Sequence, residues 1–252
     1  MVHFVGAGSG APDLITLRGK RLLENADIII YAGSLVNPQL LDYKREGCQV
    51  YNSAKMTLEE VLQVMFDSEA KGLNTVRLHT GDPCLYGAIR EQMDVLDERG
   101  IAYDYCPGVS SFSGAASALN LEYTLPDVSQ SVIITRMAGR TPVPEKEEIA
   151  SFAAHQATMV VFLSTGMLEK LSDRLIAGGY KEDTPAAIVY KATWEDEKAF
   201  VCTVGTLAKT ARENHITKTA LMIIGDVVSH SHYRRSDLYN PAFATEFREA
   251  SE

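Results

Sequence analysis

Thr75-Val76-Arg77-Leu78-His79-Thr80-Gly81-Asp82-Pro83 is the stretch that decides the fold, because it predicts a strand that ends in a tight glycine turn. Three predicted strands in the first half of the chain end in such turns, at Gly6–Pro12, Thr80–Pro83 and Pro107–Ser111. Ligands bind outside the carboxyl ends of strands in an open parallel sheet. The recurrence therefore indicates a shared binding edge, although glycine and proline alone mark only turns.

Strands and helices alternate through the first 121 residues. The predicted strands are Val2–Val5, Asp27–Tyr31, Thr75–His79 and Ala102–Tyr105. The predicted helices run from about Thr16, with Thr16 as the cap, and over Leu58–Ala70, Tyr86–Arg99 and Ser110–Leu119. This alternation predicts a parallel sheet with right-handed crossovers.

The second half predicts a separate α/β domain. The periodic pattern breaks over residues 122–131, so we expect domains at 1–121 and 132–228, a linker at 122–131 and a polar tail at 229–252. Predicted strands are Val132–Arg136, Met159–Leu163, Ala186–Tyr190, Phe200–Val204 and Leu221–Ile224, and predicted helices are Glu147–His155, Leu168–Ala177 and one from Leu207. The link between Ala186–Tyr190 and Phe200–Val204 is too short for a helical crossover, which predicts antiparallel neighbours and a mixed sheet.

Composition excludes several classes of function. The 252 residues carry 24 Lys and Arg against 33 Asp and Glu, a formal charge of −9 with no basic run, so nucleic acid is not an expected partner. No apolar run approaches the ~20 residues that span a bilayer, and the residues from Val2 onward show neither the basic region nor the long apolar region of a secretion signal. We therefore expect a cytoplasmic protein without a membrane partner. The four separated cysteines indicate neither zinc nor a disulfide framework. His230 and His232 nominate no further ligands, so no metal is predicted.

The glycine cluster Gly6-Ala7-Gly8-Ser9-Gly10 does not predict a dinucleotide site. Its spacing is G-x-G-x-G, and Pro12-Asp13 intervenes before the helix, whereas a pyrophosphate needs the loop to lead straight into the helix. Gly19-Lys20 lacks the flanking residues of a P-loop.

Taken together, the motifs resemble those of the tetrapyrrole methylases. They are Val5–Thr16, His79–Gly87, Pro107–Ser111, Thr135-Arg136, Val160–Ser164, Val189–Trp194 and Thr219–Gly225. Within that class the chain is most similar to the precorrin-4 and cobalt-precorrin-4 C11-methyltransferases, through Tyr31–Val36, Gly139–Glu145, Tyr190–Lys198 and Ser236–Tyr239. The resemblance implies an S-adenosylmethionine-dependent methyltransferase of cobalamin biosynthesis, with its active site between two α/β domains and S-adenosylhomocysteine as a product.

The resemblance also implies a set of cofactor-binding residues. In the first domain these are Pro12, Gly81, Asp82, Leu85, Ser110 and Ser111, and in the second Leu163, Ala192, Ala220 and Leu221. Periodicity cannot distinguish a cofactor role for Leu163, Ala220 and Leu221 from ordinary strand core, so their role here depends on the resemblance.

An anionic tetrapyrrole substrate calls for cations, and Arg136, Arg140 and Lys191 are the predicted substrate-binding residues because they lie in the motifs that carry the resemblance. The two arginines suit carboxylates in particular, since a guanidinium forms bidentate hydrogen bonds with them. A solvated surface charge is the competing interpretation. His79 is interpreted as a structural histidine, with a proton relay as the alternative. Ala32-Gly33 stands where several methylases of other specificity carry an aspartate, so no catalytic base is assigned.

Two other functions remain open at the level of sequence. The same fold also serves methylation of a macromolecule, of the diphthine or ribosomal RNA type, and a regulatory domain that senses the cofactor without turnover is the reading from a different class. Resemblance further implies a homodimer.

Overall fold

A computed structural model describes residues 1–231 and 233–251, so His232 lies outside the described residues. The chain forms two compact units. The first consists of Met1–Ala115 and Lys191–Glu197, and the second of Ala116–Tyr190 and Lys198–Glu252. Two features differ from the expected organisation: residues 122–131 fall inside the second unit, and Lys191–Glu197 belongs to the first.

The first unit is built on a five-stranded sheet in which all strands are parallel. The strand order is β3-β2-β4-β1-β5. The strands are β1 (Val2–Gly6), β2 (Ile28–Tyr31), β3 (Gln49–Asn52), β4 (Thr75–His79) and β5 (Tyr103–Cys106). The predicted parallel sheet is confirmed, with strand β3 in addition.

Four helices accompany this sheet: α1 (Leu17–Glu24), α2 (Leu58–Glu69), α3 (Arg90–Glu98) and α4 (Ser111–Ala118). The predicted Thr16 cap of α1 is confirmed, since the Thr16 hydroxyl accepts the N–H of Gly19 at 3.0 Å. Strand β4 separates two apolar clusters. Val76 and Leu78 pack in one of them, while residues of β1, α2 and α3 form the other.

The predicted start of the third helix is wrong. The helix begins at Arg90, not at Tyr86, because Tyr86 and Ala88 have positive φ values of 57° and 49°. A left-handed residue cannot continue a right-handed helix.

The second unit holds a mixed five-stranded sheet in the order β6-β7-β10-β8-β9. The strands are β6 (Val132–Arg136), β7 (Thr158–Phe162), β8 (Pro185–Tyr190), β9 (Lys198–Thr203) and β10 (Ala220–Ile224). Only β6 and β7 pair in parallel, and the predicted antiparallel pairing of β8 with β9 is confirmed. The helices are α5 (Ile149–Ala153), α6 (Leu168–Ala177) and α7 (Leu207–Glu213).

None of the helices in residues 1–231 and 233–251 has the length and apolar character that crossing a bilayer requires. Across the same residues no group of three or more histidine, cysteine, aspartate or glutamate side chains is placed to hold a metal ion.

Candidate active site

The carboxyl ends of three parallel strands meet at one edge of the first sheet. Because β1 lies between β4 and β5, the turns that follow these strands are neighbours. Their backbones touch at three glycines: a Cβ added to Gly6 would lie 2.6 Å from the Cα of Gly108 and 2.7 Å from the carbonyl oxygen of Gly81. Any side chain at Gly6 would therefore push the turns apart.

Gly8 and Gly81 join two of these turns by a pair of backbone hydrogen bonds. The Gly8 N–H donates to the Gly81 oxygen at 3.2 Å, and the Gly81 N–H donates to the Gly8 oxygen at 2.8 Å. Both glycines have positive φ, 84° and 60°. The Gly81 N–H is therefore used within the protein, and its predicted ligand role depends on close approach of the backbone.

The Asp82 carboxylate connects the Gly81 turn to the turn that follows β5 by hydrogen bonds. One carboxylate oxygen accepts the N–H of Cys84 at 3.0 Å, and the other accepts the N–H of Gly108 at 3.3 Å. The half-buried Leu85 lies three residues further along the same turn, and its N–H donates to the Asp82 carbonyl oxygen at 3.2 Å. Asp82 thus holds the turns together, whatever else it contacts.

Ser110 and Ser111 face the Gly81 turn at the start of α4. Ser110 is buried, and a Cβ added to Gly81 would lie 3.3 Å from both the backbone nitrogen and the hydroxyl of Ser111. The predicted residues Gly81, Asp82, Ser110 and Ser111 therefore form one contiguous cluster.

The segment Lys191–Glu197 packs against the loop after β1. The Thr193 hydroxyl lies 2.9 Å from the Ser9 hydroxyl and accepts the N–H of Ala11 at 3.1 Å. Thr193 has a φ of 66°, a strained value for a β-branched residue, and its N–H donates to a Glu197 carboxylate oxygen at 2.5 Å. Pro12 directly follows Ala11 in the loop after β1. Ala192, the residue before Thr193, is buried.

In the second unit, the predicted cofactor residues lie at two adjacent strand ends. Pairing of Met222 with Val161 brings the start of β10 alongside the end of β7. Ala220 and Leu221 are buried at the start of β10, but Leu163, directly after β7, is 63% exposed with a φ of 52°. An apolar side chain held outward by a strained backbone is typical of a functional position, whereas Ala220 and Leu221 also serve as core.

A family model described as "Tetrapyrrole (Corrin/Porphyrin) Methylases" matches residues 1–208. The chain belongs to this family. The resemblance predicted from the sequence motifs is thereby confirmed.

Full-length relatives of the methylase carry more specific names. A cobalt-precorrin-4 C(11)-methyltransferase from Methanocaldococcus jannaschii is 50% identical over 99% of this chain and 96% of its own length. A precorrin-4 C(11)-methyltransferase from Sinorhizobium sp is 42% identical over 98% of each chain. Among solved structures, a cobalt precorrin-4 methyltransferase described as a cobalamin biosynthetic enzyme has a TM-score of 0.88 at 44% identity, covering 90% of this chain and 95% of that one.

A more distant solved structure contains a cofactor product. It is a uroporphyrin-III C-methyltransferase from Thermus thermophilus complexed with S-adenosylhomocysteine, with a TM-score of 0.76 and 26% identity over 91% of this chain and 99% of that one. A relative of this methylase thus binds the demethylated form of S-adenosylmethionine.

The three predicted substrate cations occupy different environments in the methylase. The Arg136 guanidinium donates to the carbonyl oxygens of Met137, Thr141 and Pro142 at 3.2, 3.2 and 2.7 Å, so it organises its own loop. The Lys191 ammonium pairs with Asp196 at 2.6 Å. Arg140 is exposed.

A further pair of basic residues, Arg77 and His79, lines a cavity of about 310 Å³ in the first unit. Both are buried, with 6% and 5% exposure. Burial lowers the pKa of Arg77 to about 10; burial and the Arg77 charge lower the pKa of His79 to about 3. Sequence reasoning gave Arg77 no role, although a charged residue inside a buried parallel strand was the available signal.

We predict that Gly108→Ala destabilises the methylase by about 3 kcal/mol, because overpacking against rigid backbone is costly. The new Cβ would lie 2.3 Å from the Gly81 oxygen. Gly166→Ala is the matched control, since its Cβ meets nothing within 4 Å. Denaturant unfolding measures how much free energy of unfolding each variant loses relative to wild type. Equal losses in Gly108→Ala and Gly166→Ala would contradict the close contact at Gly108.

We predict that His79 makes the methylase less stable as the pH falls from about 6.5 toward 3. In this window the unfolded histidine binds a proton and the folded one, with its lowered pKa, does not, so the free energy of unfolding falls with pH. The contribution approaches about 1.4 kcal/mol per pH unit. The experiment compares unfolding of His79→Asn and wild type at pH 7 and pH 5, with His155→Asn at an exposed histidine as the control. If the difference in the free energy of unfolding between wild type and His79→Asn is the same at pH 7 and pH 5, the prediction is wrong.

Proposed function

We propose that the chain is a methyltransferase that transfers a methyl group from S-adenosylmethionine to C11 of precorrin-4 or cobalt-precorrin-4. The observation that carries the proposal is 50% identity over 99% of the chain to a cobalt-precorrin-4 C(11)-methyltransferase. The TM-score of 0.88 to a solved cobalt precorrin-4 methyltransferase also supports it. Membership of cobalamin biosynthesis follows from the same relatives.

The glycine turns of the first unit suit S-adenosylmethionine. Gly81 presents backbone without a side chain against Ser111, where a Cβ would come within 3.3 Å of the hydroxyl. Ser110 and Ser111 offer hydroxyl groups, Leu85 an apolar surface and Asp82 a carboxylate next to this turn. Pro12 and Ala192 belong to the neighbouring segments of the same unit. We propose these six residues as the cofactor contacts of the first unit.

Leu163, Ala220 and Leu221 are the proposed cofactor contacts of the second unit. The exposure of the Leu163 side chain supports its assignment. Ala220 and Leu221 are proposed on the resemblance alone.

When bound, S-adenosylmethionine supplies a methyl group that is already activated by a positive sulfur. The task left to the protein is alignment of a carbon nucleophile and exclusion of water. Rigid backbone-to-backbone contacts at Gly6, Gly81 and Gly108 suit that task, because they fix the turns without rotatable side chains. Arg136, Arg140 and Lys191 remain proposed contacts to substrate carboxylates.

The proposed function is tested with purified protein, methyl-labelled S-adenosylmethionine and defined precorrin-4 or its cobalt form. We expect one labelled methyl group at C11, measured by mass spectrometry and NMR of the product. Supplying the two substrates in parallel determines which one the enzyme uses. Label in protein or RNA would favour a macromolecular substrate, and tight cofactor binding without turnover would favour a sensor.

We also propose a cytoplasmic homodimer, on the resemblance to dimeric methylases. Light scattering at micromolar concentration is expected to give about twice the 27.6 kDa chain mass. A monomer mass would contradict the dimer while leaving the activity untouched.

A further inference from the structure

The first unit contains a cavity of about 310 Å³ at the carboxyl ends of β2, β3 and β4. The first turns of α2 and α3 also line it, through residues such as Thr57 and Gln92. Ligand pockets commonly span ~300–1,000 Å³. At the lower end of that range, this cavity has room for one side arm of a larger ligand.

Alternation along β4 delivers two basic side chains to this cavity. Thr75 bonds Ser68 of α2 and Arg77 bonds Gln92 of α3, so the odd-numbered residues of the strand face these helices. His79 is the next residue on that face and stacks on Phe4, with ring centroids 6.4 Å apart. Arg77 and His79 consequently lie one above the other beside the cavity.

Arg77 is a buried charge without a compensating carboxylate. Its Nε donates to the Gln92 side-chain oxygen at 3.1 Å, and one terminal nitrogen donates to the Ile30 carbonyl oxygen at 3.2 Å. Both acceptors are neutral, and a guanidinium has five donors. Within the described residues no carboxylate forms an ion pair with Arg77, and burial alone is what lowers its pKa. At about 10 that pKa still leaves the group charged at neutral pH.

His79 adds an unpaired polar atom. Its Nε2 is buried and finds no hydrogen-bond partner among the described residues. Buried polar groups are almost always paired, so an orphaned one needs an explanation. Because the ring is neutral at pH 7, it offers one donor and one acceptor and adds no second buried charge.

The rest of the lining also favours an anion. Glu91 is the only acidic residue among those that line the cavity, and it is exposed. The amino ends of α2, 12 residues long, and α3, 9 residues long, border the cavity and carry the positive end of the helix dipole.

We propose that this cavity is a carboxylate pocket that receives one acidic side arm of the tetrapyrrole, with the Arg77 guanidinium and His79 Nε2 as its hydrogen-bond partners. The proposal rests on the proposed function for the identity of the ligand. It assigns substrate binding to two residues of β4, in addition to Arg136, Arg140 and Lys191.

The test measures binding of uroporphyrin III, a stable tetrapyrrole with eight carboxylates, by fluorescence titration. Arg77→Gln should weaken binding at least tenfold, since the substitution removes the positive charge and the paired N–H donors of the guanidinium. Arg90→Gln is the matched control, because Arg90 is an exposed arginine paired with Asp94 and Asp97. The affinity of this variant for uroporphyrin III should stay within twofold of the wild-type value. Equal affinities for a folded Arg77→Gln and the wild type would overturn the proposal.

A second measurement does not depend on the folding of Arg77→Gln. The ring nitrogens of His79 in the wild-type protein are followed by NMR during the same titration, with assignment from His79→Gln. A shift that saturates with uroporphyrin supports the pocket, and no shift at saturation overturns it.

Turnover then separates the two proposals. With precorrin-4 or its cobalt form, Arg77→Gln should raise the KM for the tetrapyrrole about tenfold and leave the KM for S-adenosylmethionine unchanged. If wild type binds uroporphyrin through His79 but methylates neither substrate, the proposed function fails and the carboxylate pocket stands. If methylation proceeds and Arg77→Gln has the wild-type KM, the pocket fails alone.

Discussion

Contact between bare backbones at Gly6, Gly81 and Gly108 is the constraint on which the first unit depends. A Cβ at Gly108 would lie 2.3 Å from the Gly81 oxygen and 2.8 Å from Gly6, so no other residue type is compatible with this crossing. The contact requires β1 to lie between β4 and β5 with their ends level, which the parallel register provides. Asp82 then closes the arrangement by accepting the Gly108 N–H.

Strand β4 serves both the glycine turns and the cavity because its side chains alternate between two faces. Val76 and Leu78 enter one apolar cluster, while Arg77 and His79 face α2 and α3. The strand that ends in the Gly81 turn therefore also carries the buried charge. A shift of one residue in its register would bury the charged face against the opposite cluster, so the two features are tied to one register.

Helices and strands with a clear hydrophobic period could be predicted from the sequence. The elements that could not be predicted were missed for physical reasons. Thr75–His79, Val132–Arg136 and Leu168–Ala177 have the predicted bounds because each combines a clear apolar pattern with a turn signal. Strand β3, Gln49–Asn52, was missed because it is a short edge strand whose residues are exposed or half-buried. Left-handed Tyr86 broke a predicted helix, since a positive φ at a residue other than glycine leaves no mark in composition.

The sequence predicted the turn residues of the candidate site better than it predicted which cations lie at a binding site. Glycine and proline positions located Gly81, Ser110 and Ser111, which the structure brings together. The predicted substrate cations are instead already engaged within the protein: Arg136, at the end of β6, bonds three carbonyl oxygens, and Lys191 pairs with Asp196.

Exposed or already paired cations gain little from a substrate carboxylate, because solvent or the existing partner competes for the charge. Arg77 is different, because its buried guanidinium has only two neutral acceptors and carries an uncompensated charge. An incoming carboxylate would lose its own hydration, but it would also relieve the cost of that unpaired buried charge. The proposed preference of Arg77 for an acidic side arm therefore depends on burial, which only the fold supplies.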